Sequence, residues 1–399
     1  MTLRPAILGL ALALAVFGIA ASACSSGGGR EAEPTESRAG ETAAAGDLSR
    51  CETLGDESSR DCYAEELDAI MAAAPDPETG LEEIAVAAYS DPSGRLLGDC
   101  HGLMHTVGRE YAQEHDVTLE NLIDFLPQTN EPGCSAGFAH GLVTGVAPQI
   151  DLTRPQEAVE VCGETTTRYQ RYSCVHGFGH AFMRLVREDL SEALRLCGAL
   201  GDVAAPDCSQ GAFHDYWFAA IGADGTEPPE TVVDDPRELC GSQPPEFVRP
   251  CWYRAFVDNR PDEPVSDAAA LEELCAGLEG LQRSACITAA AVVGPPDPNA
   301  QLAICAGLAG EDAVSCIRGT KVQNLIVAPP EDLVALLGGC EGFPDATALA
   351  CYRWLGKVLA VLTNGEFEVF GCPEAPDARS RRACVEGARS MDEALETFS

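Results

Sequence analysis

Six of the seven histidines in this chain fall into one pattern. Gly102-Leu-Met-His105, Gly137-Phe-Ala-His140, Gly177-Phe-Gly-His180 and Gly211-Ala-Phe-His214 all read G-x-x-H. Two of the four carry a further histidine before the glycine, giving His101-Gly-Leu-Met-His105 and His176-Gly-Phe-Gly-His180. On a helix, residues four apart share a face with Cβ atoms about 6 Å apart, so each H-x-x-x-H can pinch one ion. Histidines scattered at random would yield only about a tenth of one such pair against the helical template. Neutral imidazole ligates zinc, copper, iron and nickel. We therefore expect His101, His105, His140, His176, His180 and His214 to bind a transition metal, with copper or zinc favoured, iron open, and haem as an alternative cofactor. Carboxylate help is expected from Glu110, about one turn past His105, or from Asp215.

Two other readings compete. The histidines could be structural, bonded to backbone carbonyls of neighbouring units in a protein-interaction scaffold. They could also serve acid–base catalysis without metal. No residue is assigned as catalytic, because an enzyme site would need an open coordination position that spacing does not reveal. Met104 and Met183 offer thioethers suited to reduced copper, but a helical Met reads more simply as core. His115, in Glu114-His115-Asp116, reads as a solvated helix end.

The elements that must hold these residues are announced by the cysteines. Eighteen of the 19 sort into nine pairs: Cys51 with Cys62, Cys100 with Cys134, Cys162 with Cys174, Cys197 with Cys208, Cys240 with Cys251, Cys275 with Cys286, Cys305 with Cys316, Cys340 with Cys351 and Cys372 with Cys384. Eight of these nine pairs lie 11 or 12 positions apart. Eleven residues of continuous helix would separate the Cα atoms by about 16 Å. A disulfide tolerates less than about 7 Å, so the chain must reverse between the two members of each pair. Helix-like runs lead into the first cysteines, as in Ser191-Glu-Ala-Leu-Arg-Leu-Cys197, Leu271-Glu-Glu-Leu-Cys275 and Ala300-Gln-Leu-Ala-Ile-Cys305. Pro155, Asp189, Pro298 and Pro330 mark helix starts. Gly163, Gly198, Gly241, Gly277, Gly307 and Gly342 follow the first cysteines, where helix stops are expected.

From Cys162 on, the first cysteines recur every 30 to 43 residues, and strand signals are nearly absent. That period predicts an all-α fold, a disulfide-stapled helix-turn-helix (α/α) repeat solenoid. Its His-bearing units are expected at 48–230 and its His-free units at 231–399, in the same solenoid. Gly319 and Gly387 hold the motif position after Cys316 and Cys384, yet no histidine follows three residues later. The glycine is therefore read as architectural and the histidine as an addition to the early units.

Composition bounds the setting. The 399 residues carry 63 acidic and 26 basic side chains, a formal charge of −37, which argues against nucleic acid as a partner. The closest two cysteines are 11 positions apart, which excludes C-x-x-C metal and redox motifs. So many cysteines imply an oxidising, exported setting. Residues 1–23 read as a signal peptide, with Arg4 before an apolar run from Ala6 to Ala20. Residues 24–47 read as a flexible linker rich in Ser, Gly, Glu and Ala.

The segment Ala21-Ser22-Ala23-Cys24 resembles the lipobox of bacterial lipoproteins, departing from it at Ala21, where such boxes usually carry Leu. The resemblance implies that Cys24, the one cysteine without a pair, carries lipid. The protein would then be anchored to the membrane at the cell surface or in the periplasm. The helical unit resembles, in architecture, the cysteine-rich Sel1-like repeat proteins. Their cysteines sit closer together, and their A-x-x-x-G-x-x-Y signature is not evident here. The scaffold of the HEAT-repeat di-iron hydroxylases is also comparable, but those use His-Glu dipeptides, and this chain has none.

Gly133-Cys134-Ser135-Ala136-Gly137 matches a G-x-S-x-G nucleophile elbow, but Pro127-Gln-Thr-Asn-Glu-Pro-Gly133 before it cannot be a buried strand. Tyr216-Trp217-Phe218 and Trp252-Tyr253 read as helix-packing core. The later, His-free units leave a solenoid face for a possible protein partner.

Overall fold

The computed structural model describes residues 48–393, apart from 53, 55, 92–93, 130, 132, 221–232, 234, 259–264 and 323–328. The expected signal peptide, Cys24, the linker and the 230/231 boundary lie outside the described residues. Among the described residues every regular element is helical and there is no strand.

The first four helices are α1 (Ser49–Glu52), α2 (Asp56–Ala73), α3 (Pro77–Ser90) and α4 (Arg95–Glu114). Then come α5 (Cys134–Val146), α6 (Pro155–Val159), α7 (Arg168–Leu185), α8 (Leu190–Gly198) and α9 (Ala204–Ala220). The next are α10 (Pro236–Gly241), α11 (Pro245–Asp258), α12 (Ala268–Leu274), α13 (Gly280–Val292), α14 (Pro298–Cys305) and α15 (Gly310–Arg318). The last are α16 (Pro330–Ala335), α17 (Asp345–Leu362), α18 (Phe367–Phe370) and α19 (Ala378–Ala388).

All nine expected cysteine pairs are bridged. Cys197 bonds to Cys208, Cys240 to Cys251, Cys275 to Cys286, Cys305 to Cys316, Cys340 to Cys351 and Cys372 to Cys384. In each of these six units a short helix or 3-10 segment ends near the first cysteine, the chain reverses, and a longer helix carries the second. The bridged Cα atoms lie 5.4–5.9 Å apart there, which only a reversal allows. Each short ring contributes up to roughly 3 kcal/mol in the chain-entropy model. The remaining bridges join Cys51 to Cys62, Cys162 to Cys174 and, across the widest spacing, Cys100 to Cys134.

Aspartates start the short helices. Asp189, Asp235, Asp267 and Asp297 cap α8, α10, α12 and α14, each accepting a backbone N–H of the first turn at 2.8–3.1 Å. Such a cap is worth about 1 kcal/mol. Part of the acidic excess thus shapes the repeat itself.

The expected glycine stops are corrected in detail. Of the six glycines after first cysteines, only Gly277 takes the left-handed conformation, at φ +78°. Gly163 and Gly342 lie within 3-10 segments. Tightening the last turn to 3-10 satisfies the terminal carbonyls without a left-handed residue.

The helices that carry the second cysteines pack in succession after α4, α5 on α4, then α7, α9, α11, α13, α15, α17 and α19. The array also curls, since α17 reaches back to α7. Arg168, at the start of α7, makes a fully buried ion pair with Asp207 at 2.6 Å and donates to the Glu393 carbonyl at 3.4 Å.

Candidate metal centre

Glycine is what lets the histidine-bearing helices meet. A Cβ on Gly137 of α5 would run into the backbone carbonyl of His101 on α4, and one on Gly211 of α9 would run into that of His176 on α7. In the His-free units Gly319 meets the Thr288 carbonyl and Gly387 that of Arg353 in the same way. The glycine is architectural, three residues after the second cysteine. The histidine three residues further, near one helical turn on, lies beside the same crossing.

The crossings form two like halves. One combines His101 and His105 of α4 with His140 of α5, and the other His176 and His180 of α7 with His214 of α9. The halves face one another, with His105 and His180 ring centroids 4.7 Å apart and His140 stacked on His176 at 4.5 Å. All six sequence-identified imidazoles therefore belong to one nest. His140, His176, His180 and His214 are buried, while His101 and His105 are partly exposed and mark its open side.

Two groups within the nest can hold a metal ion. His101, His105 and His140 each bring a ring nitrogen within 4.8 Å of the others, as do His140, His176 and His180. Two imidazoles on one tetrahedral ion, at a metal–nitrogen distance of about 2.0–2.1 Å, have ring centroids roughly 5 Å apart. In the first group the centroids are 5.0, 5.1 and 5.2 Å apart, and in the second 4.5, 4.9 and 5.3 Å. The His105 Nε2 and His140 Nδ1 atoms are 3.2 Å apart, close to the spacing of two ligands on one metal.

The surrounding polar contacts fix which nitrogen is presented. Asp215 Oδ1 accepts from His180 Nδ1 at 2.7 Å. His101 Nδ1 donates to the Gly133 carbonyl at 3.2 Å. Tyr172 donates its single proton to Gln210 Oε1 at 3.1 Å, so the 3.4 Å contact with His176 Nδ1 makes that nitrogen the donor. His101, His176 and His180 are thereby held as Nδ1–H tautomers with the lone pair on Nε2. Asp258 places Oδ1 3.2 Å from His214 Nδ1 and its other oxygen 3.1 Å from Nε of the buried Arg254, ion-pair contacts without hydrogen-bond geometry that leave the His214 tautomer open. His140 bonds on both sides, its Nε2 to Ser173 Oγ at 3.2 Å.

Nε2 of His176 and of His180 is buried and has no hydrogen-bond partner. An orphaned buried acceptor costs about 1–3 kcal/mol. A metal ion fits both atoms, since it supplies the partner each lone pair lacks. The Nδ1 contacts of His180 with Asp215, of His176 with Tyr172 and of His101 with a carbonyl are of the kind that orients metal-bound histidines. Their prevalence disfavours the purely structural reading, in which imidazoles bond mainly to backbone.

Electrostatics keep the lone pairs available. Burial is the largest cause holding His105, His140, His176 and His180 well below the usual histidine pKa. Neighbouring imidazoles and the Arg254 charge add to it, and Arg184 acts on His105 and His180 as well.

Several expectations about the surroundings change. Asp215 joins the site, but Glu110 is exposed and acts on Asp68 and Arg109 instead. Haem is not supported, because the rings pack against one another and leave no flat slot for a macrocycle. Met104 and Met183 are fully buried in the hydrophobic core. Trp217, Trp252 and Tyr253 are core, whereas Phe218 stacks on His214 at 4.4 Å and walls the site. Cys134 of the apparent elbow is disulfide-bonded and opens a helix with no strand before it. His115 is an exposed helix end, stacked on Tyr111.

Asp258, Arg254, Tyr172, Gln210 and Ser173 were not singled out from sequence. A signal existed for two of them. Asp258 lies seven residues after Cys251, as Asp215 does after Cys208, and Arg254 takes the position of the architectural glycine. No family model matches the chain, and no curated protein or solved structure is significantly similar to it. Nine disulfides fit an oxidising, extracytoplasmic compartment. No helix among the described residues is long and apolar enough to cross a membrane.

Proposed function

We propose that the protein is an exported lipoprotein, tethered through Cys24, that binds copper or zinc in its histidine nest. The observation that carries this reading is the pair of buried, partnerless Nε2 atoms on His176 and His180, each aimed by an oxygen at Nδ1. Neutral nitrogens with no thiolate suit zinc or copper. An ion would be held by His101, His105 and His140 at the open side or by His140, His176 and His180 further in, since neutral His140 has one lone pair to give. A bound ion would supply Lewis acidity or, as copper, redox chemistry. Around it Asp215 holds His180 as the Nδ1–H tautomer, the charge of Asp258 faces His214, and Phe218 stacks on the His214 ring. The charge of −37 draws cations toward the protein.

The test is elemental analysis of untagged protein lacking residues 1–24, with and without added copper or zinc. We expect at least one equivalent, bound more weakly in the double variant His176→Gln, His180→Gln with the fold retained. Stably folded protein that takes up neither metal would favour the interaction scaffold, with structural histidines. Lipid attachment is tested separately by mass spectrometry of the mature amino terminus, with Cys24→Ser releasing the protein from the membrane.

A further inference from the structure

The two H-x-x-x-H motifs continue alike. His101-x-x-x-His105-x-x-x-Arg109 on α4 is matched by His176-x-x-x-His180-x-x-x-Arg184 on α7. Residues four apart share a helix face, so each arginine stands one turn beyond the outer histidine of its motif. His105 and His180 meet at 4.7 Å, and the arginines one turn beyond them lie near enough for the charge of Arg184 to act on Arg109. Arg184 is exposed and Arg109 partly buried, on the open side marked by His101 and His105.

Among the described residues neither guanidinium makes a hydrogen bond or ion pair, as is also true of exposed Arg187 and Arg382, and Arg109 differs from those in being partly buried. Burial first, and then the like charge of Arg184, works against the charge on Arg109, with only neighbouring Glu110 opposing. Arg254 adds a third positive charge from α11. Asp215, Asp258 and the exposed Glu110 offset these three, and the neutral imidazoles offset none. A divalent ion would leave the centre with a net positive charge.

We propose that Arg109 and Arg184 form a two-pronged clamp that recognises a small oxyanion, a carboxylate or phosphate group, at the open side of the histidine nest. Guanidinium forks match the planar or tetrahedral oxygens of such groups, and two forks on separate helices would fix one anion beside the metal. The inference rests on the metal reading for the partner that the anion meets, and on the arginine pair alone for its recognition.

The test uses the zinc- or copper-loaded protein, titrated calorimetrically with inorganic phosphate and with acetate, with chloride as control. The wild type should bind one phosphate or acetate per centre, and the tighter of the two names the group recognised. The double variant Arg109→Gln, Arg184→Gln should keep its metal, by elemental analysis, and weaken that anion at least tenfold. Wild-type affinity in the variant, or no oxyanion binding by the loaded wild type, would overturn the clamp. Should the protein hold no metal, the metal reading fails by itself. The clamp is then decided on metal-free protein, where phosphate binding lost in the double variant supports it and absent binding overturns it.

Discussion

Replacing Asp215 with Asn isolates what a single charge contributes to this centre. Asp215 Oδ1 accepts from His180 Nδ1 at 2.7 Å, and the amide oxygen of Asn can accept the same bond without the negative charge. Tautomer and packing should therefore survive, and the change should fall on the ligand strength of Nε2. Loss of such an outer carboxylate typically costs tenfold to a hundredfold in metal affinity, about 1.4–2.7 kcal/mol. Two features of the structure set where in that range the effect should lie. His180 is 1% exposed, which strengthens the interaction, but the Asp215 side chain is 24% exposed, which lets water screen it. The lower end, about tenfold, is expected. Competition against a chelator of known affinity measures it, with circular dichroism to confirm the fold. Glu110→Gln is the control and should change nothing, since that carboxylate lies in solvent. Asp215→Asn protein that binds metal as tightly as the wild type would refute the role assigned to this hydrogen bond.

Other outcomes follow from the same geometry. Gly211→Ala and Gly387→Ala each force a Cβ into a neighbouring carbonyl and should each lower stability by about 1–3 kcal/mol in denaturant. Only the first should also weaken metal binding, because only that crossing carries histidines. Arg168→Met removes the guanidinium that pairs with the buried Asp207 carboxylate and should cost about 3–5 kcal/mol in the same assay.

Stability of the metal-free protein should fall on acidification. His105, His140, His176 and His180 have folded-state pKa values below the unfolded value of 6.5. Below that pH the unfolded chain takes up protons that the folded chain refuses. Stability is therefore fully present above pH 6.5 and declines below it, by up to about 1.4 kcal/mol per pH unit for each imidazole. Denaturant midpoints that stay flat from pH 7.5 to 5.5 would contradict the burial assigned to these rings.

Much of this was legible in the residues because spacing alone constrained it. Cysteines 11 or 12 apart force a reversal whatever the side chains between them, so the stapled helix pair could be read without coordinates. The bridges from Cys275 to Cys286 and from Cys340 to Cys351 were expected on that ground alone, and both form. The glycine at a fixed offset from the second cysteine told architecture from chemistry, since Gly319 and Gly387 lack the histidine. Nearness in space was harder to read. Asp258 lies in a unit without histidine, so nothing local tied it to His214; only its match in repeat register to Asp215 could have done so. Glu110 had the right chain distance from His105 but the wrong side of the helix. The curl that brings Glu393 to Arg168 across 225 positions depends on how each helix pair is rotated on the next, which no local pattern encodes.

The central claim is that these imidazoles present neutral nitrogens to a common ion. X-ray absorption at the metal edge, on untagged protein loaded with one equivalent of copper or zinc, tests it most directly. We predict at least three nitrogen ligands at about 2.0–2.1 Å, with the outer-shell scattering of imidazole rings and no sulfur. A spectrum dominated by oxygen ligands, or by sulfur near about 2.3 Å, would contradict it.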